Sequence, residues 1–178
     1  PTRVVQAGIL APGAVLRATG FVLAAATLVG VYLVWVGGIP ILVIGILSLI
    51  CAVAYTGGPF PLAYHGLGDL FVLVFFGLIA VVGTYWVQVR EFESDLLLAG
   101  TGVGTLVTAI LVVNNLRDIA SDERAGKRTL AVRLGASGTK VEFLLLVLVA
   151  GVVPPLGVVV FGWPPWTLLA LFGLGPVL

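Results

Sequence analysis

Five uncharged apolar runs constrain this chain more than any other feature. They extend from about Ala18 to Val36, Ile39 to Tyr55, Leu70 to Val87, Leu96 to Val113 and Phe143 to Phe161, each bounded by polar residues or Gly/Pro punctuation. Crossing a bilayer takes roughly 17 to 25 predominantly apolar residues, and a helix is one of only two structures that satisfy their own backbone there. A sixth run opens near Pro164 and stops at Leu178, short of the roughly 20 residues a spanning helix needs. The expected fold is therefore all-α: a polytopic transmembrane helix bundle with five complete spans and part of a sixth, forming one domain over residues 1–178.

Only 10% of the residues are charged and 60% are hydrophobic, against about 25% charged in soluble domains. The chain reads as an integral membrane protein whose first partner is the lipid bilayer. A net charge of +1 gives no concentrated basic surface of the kind nucleic acid binding requires. Cys51, the single cysteine, lies in an apolar run and reads as a small buried hydrophobe. The chain begins at Pro1, contains no Met, and lacks a signal-peptide pattern before Arg17. Its two ends predict a segment of a longer membrane protein.

Gly37-Gly38-Ile39-Pro40 predicts a tight antiparallel hairpin between the first two spans. Gly77, Gly83, Gly100, Gly102 and Gly104 lie within spans and predict close helix packing through small residues. Trp35, Trp86, Trp163, Trp166, Tyr32, Tyr55 and Tyr85 sit near span ends, where amphipathic rings favour the interface. Basic residues occur at the start (Arg3, Arg17) and after the fourth span (Arg117, Arg124, Lys127, Arg128, Arg133, Lys140). The connection after the third has only Arg90 against Glu91, Glu93 and Asp95. With five spans alternating sides, the start and the loops at 56–69 and 114–141 share one face, and the positive-inside rule makes it cytoplasmic.

Charge is concentrated between Arg117 and Glu142. Asn114, Asp118 and Asp122 recur at i, i+4 and i+8, so a continuing helix would present them along one face with about 40° of drift per step. Two carboxylates beside an amide suit a hard cation, because Mg²⁺ is commonly held by one or two carboxylates plus phosphate oxygens and waters. Arg117, Lys127 and Arg128 add donors for phosphate. The plain alternative is a cytoplasmic loop whose basic residues set topology and whose acids pair with them. The Asp-xxx-Asp spacing alone does not separate the two.

Residues 55–69 (Tyr55-Thr56-Gly57-Gly58-Pro59-Phe60-Pro61-Leu62-Ala63-Tyr64-His65-Gly66-Leu67-Gly68-Asp69) form a turn-rich loop expected on the same face. His65, the lone histidine, reads as an interfacial polar residue rather than a metal ligand. Asp69 is a candidate N-cap for the third span or a catalytic acid. Tyr55 could present its ring or hydroxyl to a cavity.

Together these residues resemble a known family. Asn114-Asn115-Leu116-Arg117-Asp118, Asp122 and Gly126-Lys127-Arg128-Thr129-Leu130-Ala131-Val132-Arg133-Leu134-Gly135 are similar to the second aspartate-rich motif, and the loop after it, of the UbiA-type intramembrane prenyltransferases. The loop at 55–69 resembles their menaquinone-pathway branch, the 1,4-dihydroxy-2-naphthoate polyprenyltransferases. Within a nine-helix prenyltransferase the chain looks like helices 3 to 8, with Arg3-Val4-Val5-Gln6-Ala7-Gly8 similar to the stretch after the first motif. That motif is not in the sequence, so the 178 residues alone are expected to be inactive.

The resemblance implies Asp118 and Asp122 as catalytic residues that bind Mg²⁺ as cofactor. It implies Asn114, Arg117, Lys127, Arg128 and Tyr55 as substrate-binding residues for a polyprenyl diphosphate and the aromatic acceptor dihydroxynaphthoate. It also implies a multi-pass protein of the plasma or inner membrane with its motif loops cytoplasmic. Runner-up readings are prenyl or phytyl transfer to another aromatic acceptor, of phylloquinone, tocopherol or ubiquinone type, and a transporter segment. A transporter would carry mid-depth acids and an internal repeat, and neither is evident. The sequence carries no sign of prenyl chain length or oligomeric state.

Overall fold

The computed structural model describes residues 8–57, 59 and 61–177, and is helical with no strand among them. Arg3 through Ala7, with Gly58 and Phe60 of the turn-rich loop, lie outside the described residues. The chain divides into two compact units, Pro1–Gly45 and Ile46–Leu178.

The first unit holds α1 (Pro12–Gly37) and the opening of α2 (Ile39–Thr56). Pro12 occupies the start of α1, where a missing N–H leaves no helical bond unmade. Gly38 alone separates the helices. It takes φ 70° and donates its N–H to the Val34 carbonyl at 2.7 Å. Most large apolar side chains of α1 are exposed, Phe21 and Trp35 among them, as suits a helix whose surroundings are lipid.

In the second unit a helix runs from Gly68 to Val89. It comprises α3 (Gly68–Val72), a π-helical stretch (Leu73–Ile79) and α4 (Ala80–Val89). Helix α5 (Asp95–Arg124) packs between this helix and α6 (Leu130–Phe161). Lipid offers apolar surface as good as leucine, so close contact between backbones has to supply much of the association. Glycine makes it possible. A Cβ on Gly77 would lie 2.5 Å from both the Gly100 carbonyl oxygen and the Gly104 Cα, so the two helices touch through their backbones. Gly102, about 200° further round α5, meets Val153 of α6 instead. The close packing expected of Gly77, Gly100, Gly102 and Gly104 is present.

Among the described residues, four helices are long and apolar enough to cross a membrane: Pro12–Gly37, Gly68–Val89, Asp95–Arg124 and Leu130–Phe161. The expected second span is also helical over Ile39–Tyr55 but falls just short of that length. The expected sixth is a 3-10 helix, Pro165–Val177. Pro164, Pro165 and Pro176 lack N–H donors and Gly173 and Gly175 are poor helix formers, so apolar character there does not bring α-helical bonding.

Trp163 departs from the lipid-anchor expectation. Its indole Nε1 donates to Asp95 Oδ2 at 2.7 Å and its ring covers Gly157, tying the end of α6 to the start of α5. Trp35 and Trp166 are 82% and 70% exposed, as interfacial rings would be.

The length of α5 positions everything that follows. Thirty residues extend about 45 Å, against a hydrocarbon core of about 30 Å. The run Leu96–Val113 takes up about 27 Å of it, so Asn114–Arg124 projects by roughly 16 Å.

Candidate functional site

Along the projecting end of α5, burial does not follow the i, i+4, i+8 set. Asp122 is buried, Asn115 and Asp118 are half-buried, and Asn114 is exposed. At about 100° per residue, Asn115 and Asp122 lie about 20° apart round the helix, whereas Asn114 and Asp122 are about 80° apart. The buried residues Thr105, Thr108 and Val112 fix the inward direction, and it points closer to Asn115 than to Asn114. The expected shared face therefore loses Asn114 and gains Asn115. Asp118 sits at its edge.

Asp118 is forked by its neighbour: Arg117 Nε donates to Oδ1 at 2.8 Å and Nη2 to Oδ2 at 3.0 Å. This pair lies beyond the apolar run, and the hydrogen bonds from Arg117 hold the Asp118 carboxyl below the usual carboxylate range. With the two side chains 57% and 29% exposed, the pair is a weak stabiliser.

Asp122 is partnered by chain reversal. After Arg124 the backbone closes a Schellman motif: Lys127 N–H donates to the Asp122 carbonyl at 2.9 Å and Gly126 N–H to the Glu123 carbonyl at 3.0 Å. Gly126 takes φ 71°, a conformation glycine adopts without a Cβ penalty. The turn swings Lys127 back over the helix end, with its Nζ 3.5 Å from Asp122 Oδ1 and 5.2 Å from the centroid of the Tyr64 ring. Thr129 then caps α6 by accepting the Val132 N–H at 3.3 Å. The region expected as a loop over 114–141 is thus mostly helix, with only five residues between α5 and α6 and a break inside α6 at Gly135.

The turn-rich loop lies against this turn. Its 3-10 segment, Leu62–His65, ends at Gly66 with φ 73°. Arg128 donates its backbone N–H to the Tyr64 carbonyl at 3.0 Å, while its side chain is exposed. His65 Nδ1 lies 2.8 Å from the Pro61 carbonyl oxygen, within its own turn. Asp69 is not the N-cap of the third span, since that position is Leu67. Its carboxylate is buried, and Oδ1 accepts from Asn115 Nδ2 at 3.4 Å. The Tyr55 hydroxyl approaches Gly68 beside it, where a Cβ would lie 3.0 Å away.

Of the residues singled out from sequence, Asp122 and Lys127 are brought into direct contact, and Asp118 and Arg117 pair with each other. Arg128 joins through its backbone, Tyr55 stands by Asp69, and Asn114 is left outside. Sequence reasoning missed Asn115 and the part played by Tyr64. The seven-residue interval from Asn115 to Asp122 was the available signal for the first, because seven residues nearly close two turns. Among the described residues no group of three or more His, Cys, Asp or Glu could hold a metal ion. Asp118 and Asp122, one turn apart on the same helix, suit the one or two protein carboxylates with which Mg²⁺ is held alongside phosphate.

A bundle of apolar helices with paired acids and bases clustered at the projecting end of α5 has the form of an integral membrane protein with a polar site at one end. Consistent with that form, the model of the UbiA prenyltransferase family matches residues 1–178, and the chain belongs to this family. Among curated relatives, it is 39% identical over 184 aligned positions to a 1,4-dihydroxy-2-naphthoate octaprenyltransferase of Mycobacterium tuberculosis, covering 99% of this chain and 62% of the relative. Proteins of the same name from Haemophilus influenzae and Escherichia coli are 50% and 51% identical over 107 and 94 residues. These cover 60% and 53% of this chain, and 35% and 30% of the relatives. The chain thus spans less than two thirds of the length of these relatives. No solved structure matches it.

Proposed function

We propose that the protein transfers a polyprenyl group from polyprenyl diphosphate to 1,4-dihydroxy-2-naphthoate with loss of CO₂, yielding demethylmenaquinone at the quinol level. It would act in the plasma or inner membrane with its motif loops on the cytoplasmic side. The observation that carries the reading is the Asp122–Lys127 pair with Asp118 one turn away, at the projecting end of a bundle from this family.

Each residue has a role its placement supports. Asp118 and Asp122 would hold Mg²⁺, which when bound neutralises diphosphate charge as the allylic C–O bond breaks. Lys127, at the buried acid, and the exposed Arg117 and Arg128 present cations to diphosphate oxygens. The Tyr55 ring can face the allylic cation, and apolar walls keep water from it. The new bond joins the allylic carbon to the acceptor ring. The acceptor carboxylate leaves as CO₂ with its bonding pair retained by the ring, and diphosphate departs.

The test is transfer of a labelled prenyl group to dihydroxynaphthoate in membranes of cells producing these residues within a chain of the relatives' length, since residues 1–178 alone are expected to be inactive. Asp118→Ala or Asp122→Ala should abolish Mg²⁺-dependent transfer while insertion is retained, and normal turnover in both variants would sink the mechanism. A second reading, phytyl transfer, draws on a 2-carboxy-1,4-naphthoquinone phytyltransferase of Synechocystis that is 33% identical over 120 residues. Competition between polyprenyl and phytyl diphosphates in the same assay separates the two.

A further inference from the structure

The turn carrying Lys127 is fastened to the turn-rich loop by a single guanidinium. Arg133, in the first turn of α6, donates Nη2–H to the His65 carbonyl at 2.9 Å and Nε–H to the Arg128 carbonyl at 3.2 Å. Its two acceptors belong to segments more than 60 positions apart, so one rigid fork cross-links both loops. Between them runs the bond from the Arg128 N–H to the Tyr64 carbonyl at 3.0 Å. The approach is close enough that a Cβ on Gly66 would lie 3.1 Å from the Arg128 carbonyl oxygen and 3.2 Å from Arg133 Nε.

This cross-link bears on Lys127. Its ammonium has two partners on different elements, the Asp122 carboxylate of α5 and the Tyr64 ring of the loop. A lysine side chain loses rotamer entropy when its ammonium is fixed, so both partners must be held still if the charge is to stay in one place. The C-terminal turn of α5 places Asp122. Arg133 places Tyr64, by binding the next carbonyl along and the carbonyl of Arg128, the residue whose N–H the Tyr64 carbonyl accepts.

We propose that Arg133 is a positioning residue for the diphosphate end of the prenyl donor: it docks the Tyr64–Gly66 segment on the Lys127–Arg128 turn and so holds the Lys127 ammonium where diphosphate binds. Arg133 touches no substrate in this role. The proposal rests on the donor assigned above, and its test includes an arm that does not.

The first arm follows hydrogen exchange at the Arg128 amide in the purified protein. Protection is expected in the native protein, loss in Arg133→Ala and partial retention in Arg133→Lys, with amides near Thr108 and Val112 unchanged to show that the bundle stays folded. The second measures binding of inorganic diphosphate with Mg²⁺ by calorimetry. Arg133→Ala should weaken it about tenfold, the size of one lost charge-assisted hydrogen bond. Lys127→Ala on top of Arg133→Ala should add little. The third arm is kinetic: KM for the prenyl donor rises, while kcat and the acceptor KM stay put. Unchanged exchange at Arg128 overturns the proposal, as does unchanged diphosphate binding once that protection is lost, or binding losses from the two substitutions that simply multiply. A chain of the relatives' length that binds diphosphate but transfers no prenyl group refutes the acceptor and reaction assigned above and leaves Arg133's role to the first two arms. Failure to bind diphosphate at all refutes both.

Discussion

The Asn115 side-chain amide donates to the Asp69 carboxylate at 3.4 Å, joining the projecting end of α5 to the first turn of α3 across 46 positions of sequence. Asp69 is only 6% exposed, so the amide is a donor that water cannot readily replace. Asn115→Leu should cost about 1–3 kcal/mol, the penalty for leaving a buried acceptor without its partner. Asn114→Leu, one position earlier and exposed, should change stability by no more than about 0.5 kcal/mol. Chemical denaturation of the two variants in the same detergent measures the difference. Equal losses would mean the helix is phased otherwise.

Gly126 isolates a purely conformational cost. Its φ is 71° and an added Cβ would meet nothing within 4 Å, so Gly126→Ala should destabilise by about 1–2 kcal/mol through the left-handed backbone alone. Gly126→Asn should cost less, since a short polar side chain visits that region more readily. The ranking Gly, Asn, Ala in unfolding midpoint is the readout.

At Gly104 the cost is steric. A Cβ there would lie 2.7 Å from the Leu73 carbonyl oxygen, and backbone cannot swing aside as a side-chain tip can. Gly104→Ala should therefore lose about 1–3 kcal/mol by overpacking. Gly30→Ala in α1, where nothing lies within 4 Å, should be neutral or gain up to about 1 kcal/mol of helix propensity. Thermal unfolding of the pair distinguishes a packed crossing from a loose one.

At the opposite end, the Trp163–Asp95 bond can be weighed by a double-mutant cycle. Trp163→Phe, Asp95→Ala and the double variant should show a coupling of about 0.5–3 kcal/mol. A coupling near zero would leave Trp163 as an interfacial ring, the role its place at a span end suggests.

Much of this protein is legible in one dimension. The four long apolar helices follow from uncharged runs, because hydrocarbon penalises any chain that leaves its backbone polar groups unsatisfied. The helical glycines announce close packing, and concentration of charge after Val113 marks the polar end before any coordinates exist. The motif residues around Asp118 and Asp122 carry the family likeness, which the match over residues 1–178 bears out.

What the sequence by itself determined, then, is composition along a line: where helices lie, which end is polar, and which family the chain belongs to. Tertiary structure decided rotation and partnership. Asn114 and Asn115 are chemically identical, and only the contacts of α5 with its neighbours turn the second toward Asp69. Lys127 and Arg117 are both cations near acids, yet Gly126 bends one over buried Asp122 while the other stays beside Asp118 on the exposed edge. Arg133 looked like one more topological charge until the fold brought the His65 carbonyl to it. Hydropathy depends on which residues are present, whereas the direction a helix faces depends on the surfaces it meets, and those come from distant parts of the chain.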